Sequence, residues 1–271
     1  MPGATGHRPR KRFGQNFLHD PGFIRRIISA VDPRPGDRLV EIGPGQGALT
    51  VPLLAAAGRL EAVEMDRDLI PELRSQCAAS GSLLLHQADA LRFDFRQCHG
   101  SAGSLRLVGN LPYNISTPLL FHLLDQADHI RDMHFMLQRE VVDRMAAAPG
   151  GRTYGRLSVM IQYHCRVQPL LRVPAGAFRP APKIESAVVR LLPRPPATPA
   201  RDPGLLHDLV ARAFNQRRKT LRRILTDFLD PSVFAIAGID PGARPEQLGV
   251  DDFVRLANSA GDRGTPDSRP A

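Results

Sequence analysis

Five short apolar runs alternating with helical segments constrain this chain more than any other feature. R-L-V-E-I (38–42), R-L-E-A-V-E-M (59–65), L-L-L-H-Q (83–87), L-R-L-V-G (105–109) and M-H-F-M-L (133–137) read as strands. Helical spacing runs over Ala48–Ala57, through Leu69, Leu73 and Cys77, and over Thr117–Gln126, the last with Ser116 as N-cap and Pro118 in its first turn. Parallel strands need crossover connections, and crossover helices cover both faces of a sheet, so the alternation predicts a parallel α/β sheet. A helix at Arg156–Tyr163 and strands at V-Q-P-L-L-R-V (167–173) and S-A-V-V-R-L-L (186–192) would complete it.

Five prolines within P-R-P-P-A-T-P-A-R-D-P (193–203) preclude regular structure and mark a linker. Beyond it Leu206, Val210, Phe214, Leu221, Leu225 and Phe228 keep helical spacing, with a break at 217–218 that allows two helices, and a last helix covers Asp251–Ser259. The expected division is a basic, disordered segment 1–12, an α/β domain 13–195, a linker 196–203, a small all-α domain 204–260 and a disordered tail 261–271.

Charge sharpens this picture. Residues 1–12 carry Arg8, Arg10, Lys11 and Arg12, and residues 211–223 carry Arg212, Arg217, Arg218, Lys219, Arg222 and Arg223, with no acid in either. Taking those ten from the 36 basic residues leaves 26 against 27 acids, so the whole net charge of +9 sits in two short segments. Concentrated arginine attracts phosphate and releases its counterions, which points to nucleic acid. A solvated helix face or a brace within the fold is the alternative use of any one of these arginines. No apolar run approaches the roughly 18 residues that span a bilayer, and the basic start lacks the apolar segment of a secretory signal. The three cysteines have no C-x-x-C spacing and the nine histidines no H-E-x-x-H. The expectation is a cytoplasmic, metal-free protein.

E-I-G-P-G-Q-G (41–47) lies between a strand and a helix, where open parallel sheets bind ligands. Glu64 ends the next strand 21 residues after Gly43, the place from which a carboxylate reaches ribose hydroxyls, and Asp89 follows the third strand. NAD and S-adenosylmethionine both suit such a nucleoside pocket. The G-x-G-x-G spacing resembles that of methyltransferase loops, which implies S-adenosylmethionine, and Glu41 suits a sulfonium where it would repel a pyrophosphate.

The fourth strand runs into N-L-P-Y (110–113), an Asn-x-Pro-aromatic tetrad that resembles the motif of amino-methyltransferases and so implies an amine such as that of adenine as acceptor. The exocyclic amine of adenine is a poor nucleophile because its lone pair is delocalised into the ring. Acceptors that hold both N–H bonds out of plane localise that pair. The side-chain oxygen of Asn110 and the carbonyl of Leu111 or Pro112 can serve, while Tyr113 stacks on the base and tolerates the charge passing to nitrogen. No strong base is needed, so positioning and electrostatics carry the chemistry.

K-R-F-G-Q-N-F-L (11–18), E-I-G-P-G-Q-G-A-L-T (41–50), N-L-P-Y-N-I-S-T-P-L-L (110–120), L-Q-R-E-V (137–141), Y-G-R-L-S-V (154–159), F-R-P-A-P-K-I-E-S-A-V (178–188) and Q-R-R-K-T-L-R (216–222) follow one another in the order of a single family. Over residues 8–260 the chain resembles the ribosomal RNA adenine dimethyltransferases of the KsgA/RsmA type. The resemblance implies a seven-stranded Rossmann-like class I methyltransferase sheet with a helical C-terminal domain that grips rRNA. It implies S-adenosylmethionine as donor, S-adenosylhomocysteine as product, and two adjacent N6-dimethylated adenines near the 3′ end of 16S rRNA. The substrate would be an immature 30S subunit and the enzyme a monomer.

Residue by residue, the resemblance implies that Asn16 and Leu18 cover the cofactor, Gly43 contacts it through the backbone, Glu64 holds its ribose and Asp89 meets its adenine amine. Asn110 would serve both the methionine end and the target amine, and Phe178 would stack on the extruded adenine opposite Tyr113. The implied RNA contacts are Arg10, Lys11, Arg12, Arg217, Arg218, Lys219, Arg222 and Arg223. Gln46-Gly47 and Arg179 are positions of expected variation. Three rivals stand beside this reading: an enzyme that dimethylates large-subunit rRNA, a DNA adenine methyltransferase, for which D-P-P-Y is the usual tetrad, and an RNA-binding assembly factor without catalysis.

Overall fold

The computed structural model describes residues 15–98 and 103–261. Seven strands form one sheet: β2 (Arg38–Ile42), β3 (Arg59–Glu64), β4 (Ser82–Gln87), β5 (Leu105–Asn110), β6 (Ile130–Gln138), β7 (Cys165–Val173) and β9 (Ser186–Pro193), in the order β4-β3-β2-β5-β6-β9-β7. β3, β2, β5 and β6 pair in parallel, as does β4 with β3, and β9 runs antiparallel to β6. A two-stranded ribbon joins β1 (Phe17–Leu18) to β8 (Phe178–Arg179), with Leu18 opposite Phe178. The predicted seven-stranded sheet is present, its strands matching the apolar runs within a few residues.

Two compact units make up the described chain. One reaches to Val142 and takes in Val167–Pro193; the other consists of Asp143–Arg166 and the chain from Arg194 onward. The sequence-based division therefore needs correction: 143–166, with the helix α6 (Arg156–His164), belongs to the helical unit and not to the sheet domain. Periodicity identifies a helix but not the neighbours that cover its apolar face. Nor is 196–203 a free linker. The Ala200 N–H donates to the Tyr163 hydroxyl, Asn258 amide to the Pro199 carbonyl, and Arg201 N–H to Asn258.

In the sheet unit, helices α1 (Pro21–Val31), α2 (Thr50–Ala57), α3 (Ile70–Cys77) and α4 (Ser116–Leu124) supply the cover. Leu39, Leu53, Leu54, Leu60 and Val108 pack into one buried cluster with Ile27 and Val31 of α1. Helix α1 was not anticipated, although its signals are plain. Asp20 caps it through the N–H groups of Gly22 and Phe23, and Pro21 opens it. Ser116 is not the cap of α4 but its first residue, with Ile115 at the cap position, and its hydroxyl donates to the Pro112 carbonyl. After α5 (Arg139–Met145), which lies at the junction of the two units, the helical unit adds α7 (Pro203–Asn215), α8 (Leu221–Ile224), α9 (Ser232–Ala237) and α10 (Val250–Gly261) around Leu209, Val210, Phe253 and Leu256.

At the amino end of the sheet, Arg106 is buried and donates to Asp132 (3.0 Å), Asp37 (2.5 Å) and the Val31 carbonyl (2.6 Å). Arg190 also reaches Asp132. Burial pushes the Asp37 carboxyl up, but the Arg34 N–H and the Arg106 guanidinium outweigh it and hold it below its ordinary value. Among the described residues no helix is long and apolar enough to cross a membrane.

Candidate active site

The parallel strands deliver their carboxyl ends to one edge, and the order reverses between β2 and β5, where an open sheet leaves a crevice. A cavity of about 330 Å³ lies there. Its walls are the loops after β2, β3, β4 and β5 together with the segment 15–18. They bring together nine predicted residues: Asn16, Leu18, Gly43, Glu64, Asp89, Asn110, Leu111, Pro112 and Tyr113.

The glycine loop is shaped by backbone. Gly43 and Gly45 both hold positive φ, and its N–H ties Gly43 to the Val63 carbonyl (2.9 Å). Glu64 braces the same loop, one oxygen accepting from Gly45 N–H (3.2 Å) and the other from Asp66 N–H (2.7 Å). Gly109, one residue before Asn110, permits a still closer approach: a Cβ there would lie 2.5 Å from the Ile42 carbonyl oxygen. The cofactor-loop strand and the N-L-P-Y strand therefore touch backbone to backbone at the crevice.

Among the described residues, no cationic side chain lines the cavity. Glu41 is 2% exposed, and burial drives its carboxyl up to about 8, Thr50 opposing and Glu64 adding to the shift. Its Oε2 has no hydrogen-bond partner among the described residues. Glu64 is likewise raised, first by burial, against which the N–H groups of Asp66 and Gly45 work. Asp89 spends one oxygen on the Leu91 N–H (3.0 Å). A buried carboxyl atom left orphaned beside a second acid is costly unless a cationic or hydrogen-bonding ligand completes it. An amino-acid ammonium and a sulfonium fit that demand, and ribose hydroxyls fit Glu64.

Across the crevice, the Asn110 amide nitrogen donates to the Asn16 carbonyl (2.9 Å). Only a donor can face a carbonyl, so the amide orientation is set and its oxygen is left as acceptor. The Pro112 carbonyl already accepts from Ile115 N–H (3.2 Å) and the Ser116 hydroxyl (2.9 Å). Leu111 N–H is held by the Met136 carbonyl (3.1 Å). Of the two expected carbonyl acceptors, that of Pro112 is thus already engaged twice, and among the described residues no backbone N–H outside the regular elements reaches that of Leu111. Tyr113 stands half-buried with its hydroxyl 2.6 Å from that of Ser186.

Phe178 is 2% exposed and packs with Leu18, Met136 and Val188 in the apolar cluster, outside the wall of this cavity. It lies opposite Leu18 in the β1–β8 ribbon. Unanticipated wall residues are Phe17, Leu49, Met65, Leu91 and Ile115. Met65 carried a signal, since it follows Glu64 directly and ends an apolar strand.

In the helical unit the predicted cationic cluster separates into two kinds. Arg217 donates to the Arg152 carbonyl (2.8 Å) and lies over the Phe214 ring, so it braces that unit. Arg218, Lys219, Arg222 and Arg223 are exposed. Arg10, Lys11 and Arg12 lie outside the described residues, as does the predicted tail beyond Gly261.

Known proteins agree with the geometry. A dimethyladenosine transferase from Plasmodium falciparum shares the fold with a TM-score of 0.76 at 26% identity, over 89% of this chain and 95% of that one. A 23S rRNA methyltransferase, ErmE, does so at 0.68 and 24% identity, over 91% and 100%. The ribosomal RNA small subunit methyltransferase A of Pseudomonas aeruginosa PAO1 is 59% identical over 93% of this chain and 94% of its own length, and that of Pseudomonas fluorescens Pf-5 is 57% identical over 96% and 97%. The family model for ribosomal RNA adenine dimethylase matches residues 6–262. On fold, site and sequence together, the chain belongs to the ribosomal RNA adenine dimethylase family.

Proposed function

We propose that the chain dimethylates N6 of two adjacent adenines near the 3′ end of 16S rRNA, acting as a cytoplasmic monomer on an immature 30S subunit. S-adenosylmethionine, when bound, supplies an electrophilic methyl group on sulfur. Glu41 and Glu64 would hold its ammonium and ribose, Asp89 its adenine amine, and Asn16, Leu18 and Gly43 would enclose it. Asn110 Oδ1 and the Leu111 carbonyl take the two amine N–H bonds of the target and turn its lone pair toward the donor. Tyr113 stacks on the purine. An extruded or unpaired adenine is required, and opening a pair costs a few kcal/mol at most where pairing is already weak. Arg218, Lys219, Arg222 and Arg223 would meet the RNA phosphates.

The observation that carries this reading is the fixed orientation of Asn110, which leaves its amide oxygen as an acceptor at the cavity that Asn16, Glu64 and Asp89 also line. The names of the Pseudomonas relatives favour the small subunit over the large one. The decisive experiment is methylation of undermethylated small subunits by purified protein with labelled cofactor, followed by nucleoside analysis. Dimethyladenosine should form in the 3′ region of 16S rRNA, and Asn110→Ala should lower transfer about a thousandfold while rRNA binding persists. Undiminished transfer by that variant removes the amine-orienting role. Label in 23S rRNA instead would move the substrate to the large subunit.

A further inference from the structure

We infer that Ser186 is a positioning residue for the second methyl transfer, acting through Tyr113; the inference rests on the function proposed above. Ser186 opens β9, a strand whose other buried positions are Ala187, Val188, Val189 and Leu191. It is itself fully buried, and its hydroxyl lies 2.6 Å from that of Tyr113, 73 residues away. An apolar residue would serve the sheet equally well at that place, so the hydroxyl is there for its partner.

The ladder explains why the partner is tied down. Asn110 lies opposite Met136, and Gln138, two residues on, lies opposite Ser186. Leu111 N–H binds the Met136 carbonyl at the near end of the N-L-P-Y turn. The Tyr113–Ser186 contact binds its far end to the third strand across. The aromatic wall is thereby held at both ends relative to the amine acceptors.

The two transfers make unequal demands on that wall. In the first, methyl passes from sulfur to N6 and N6 gives up one proton to solvent, leaving N6-methyladenine with a single N–H. Of the Asn110 and Leu111 acceptors, only one can then be used. Orientation of the second acceptor amine falls to stacking on Tyr113, and a ring freed from Ser186 stacks less reproducibly. Losing the tether should therefore slow the second transfer more than the first.

The test is the ratio of N6-methyladenosine to N6,N6-dimethyladenosine in single-turnover reactions on undermethylated small subunits. Ser186→Ala should raise that ratio about tenfold, the size expected for one lost hydrogen bond, while S-adenosylmethionine affinity stays unchanged. Tyr113→Phe, which keeps the ring and removes the same bond, should do likewise; the double variant should be no worse than either, and Ser186→Thr should restore the parent ratio. An unchanged ratio in Ser186→Ala of normal cofactor affinity overturns the inference. Should that variant lose cofactor binding through misfolding, an unchanged ratio in Tyr113→Phe overturns it alone. Absence of any methyladenosine with the parent protein is a separate result, which sinks the proposed function instead.

Discussion

Opposite edges of the same sheet carry buried charge on different terms. At the amino edge, Arg106 meets Asp132, Asp37 and the carbonyl that ends α1, with Arg190 completing Asp132. At the carboxyl edge, Glu41 and Glu64 are buried side by side, and no described cation pairs with either. A network whose acids are met by cations contributes order. An open one carries a desolvation cost that a ligand can relieve, which is how a binding site differs from a structural ion cluster made of the same residue types.

Breaking the closed edge should have the larger effect on stability. Arg106→Met leaves Asp132 and Asp37 without their main cation and should cost about 3–5 kcal/mol in urea unfolding, with cofactor affinity of the folded fraction unchanged. A loss below about 1 kcal/mol would show that Arg190 and Arg131 carry the network, Arg131 being the other partner of Asp37.

The open edge should respond in the reverse sense. Glu41 keeps its proton in the folded chain up to about 8, whereas the unfolded chain releases it near 4.5, so its contribution to stability declines as pH rises between those values. Glu41→Gln should accordingly raise the melting temperature at pH 8 by about 5 °C, leave it unchanged below pH 4.5, and weaken S-adenosylmethionine binding. Calorimetry of the parent at pH 7 in buffers of different ionisation enthalpy should detect proton release on cofactor binding. A variant less stable at pH 8 would mean the carboxylate is already compensated.

The smallest effect is expected from the exposed cluster of the helical unit. Gln at Arg218, Lys219, Arg222 and Arg223 should leave stability and cofactor affinity intact and flatten the salt dependence of subunit binding by about 0.7–0.9 in log–log slope per contact. Arg217→Gln, by contrast, should lower stability through Arg152 and Phe214 and change the slope little. Equal slopes for the quadruple variant and the parent would remove these residues from the RNA surface.

How much of this could be read in advance follows the physics of each feature. Strands and the glycine loop are written in local pattern, so the sheet and the placing of Gly43, Glu64, Asp89 and Asn110 at its edge are legible in the sequence. The neighbours of a helix are not local, which is why the helix expected at Arg156–Tyr163 belongs to the helical unit although sequence order puts it with the sheet. Phe178 belongs to a recognisable motif, yet its ribbon partner is Leu18, 160 positions earlier, a pairing no local pattern announces. Arg106 was a missed signal: an arginine inside L-R-L-V-G asks for buried acids, and Asp132 stands in the neighbouring strand. Ser186 had no such mark, because a serine at a strand start is ordinary until its contact with Tyr113 is seen.

Gly109 has a consequence for the choice of donor. The separation between the loop that would carry the sulfonium and the turn that would carry the purine is set by two main chains in contact, with the Ile42 carbonyl as the stop. No side-chain trimming at that point can lengthen the gap, and no insertion of bulk can be absorbed without parting the strands. A cofactor analogue bearing ethyl or allyl in place of methyl gains no room by any change at Gly109, so redesign of this scaffold for larger alkyl groups has to begin among the other residues that line the cavity.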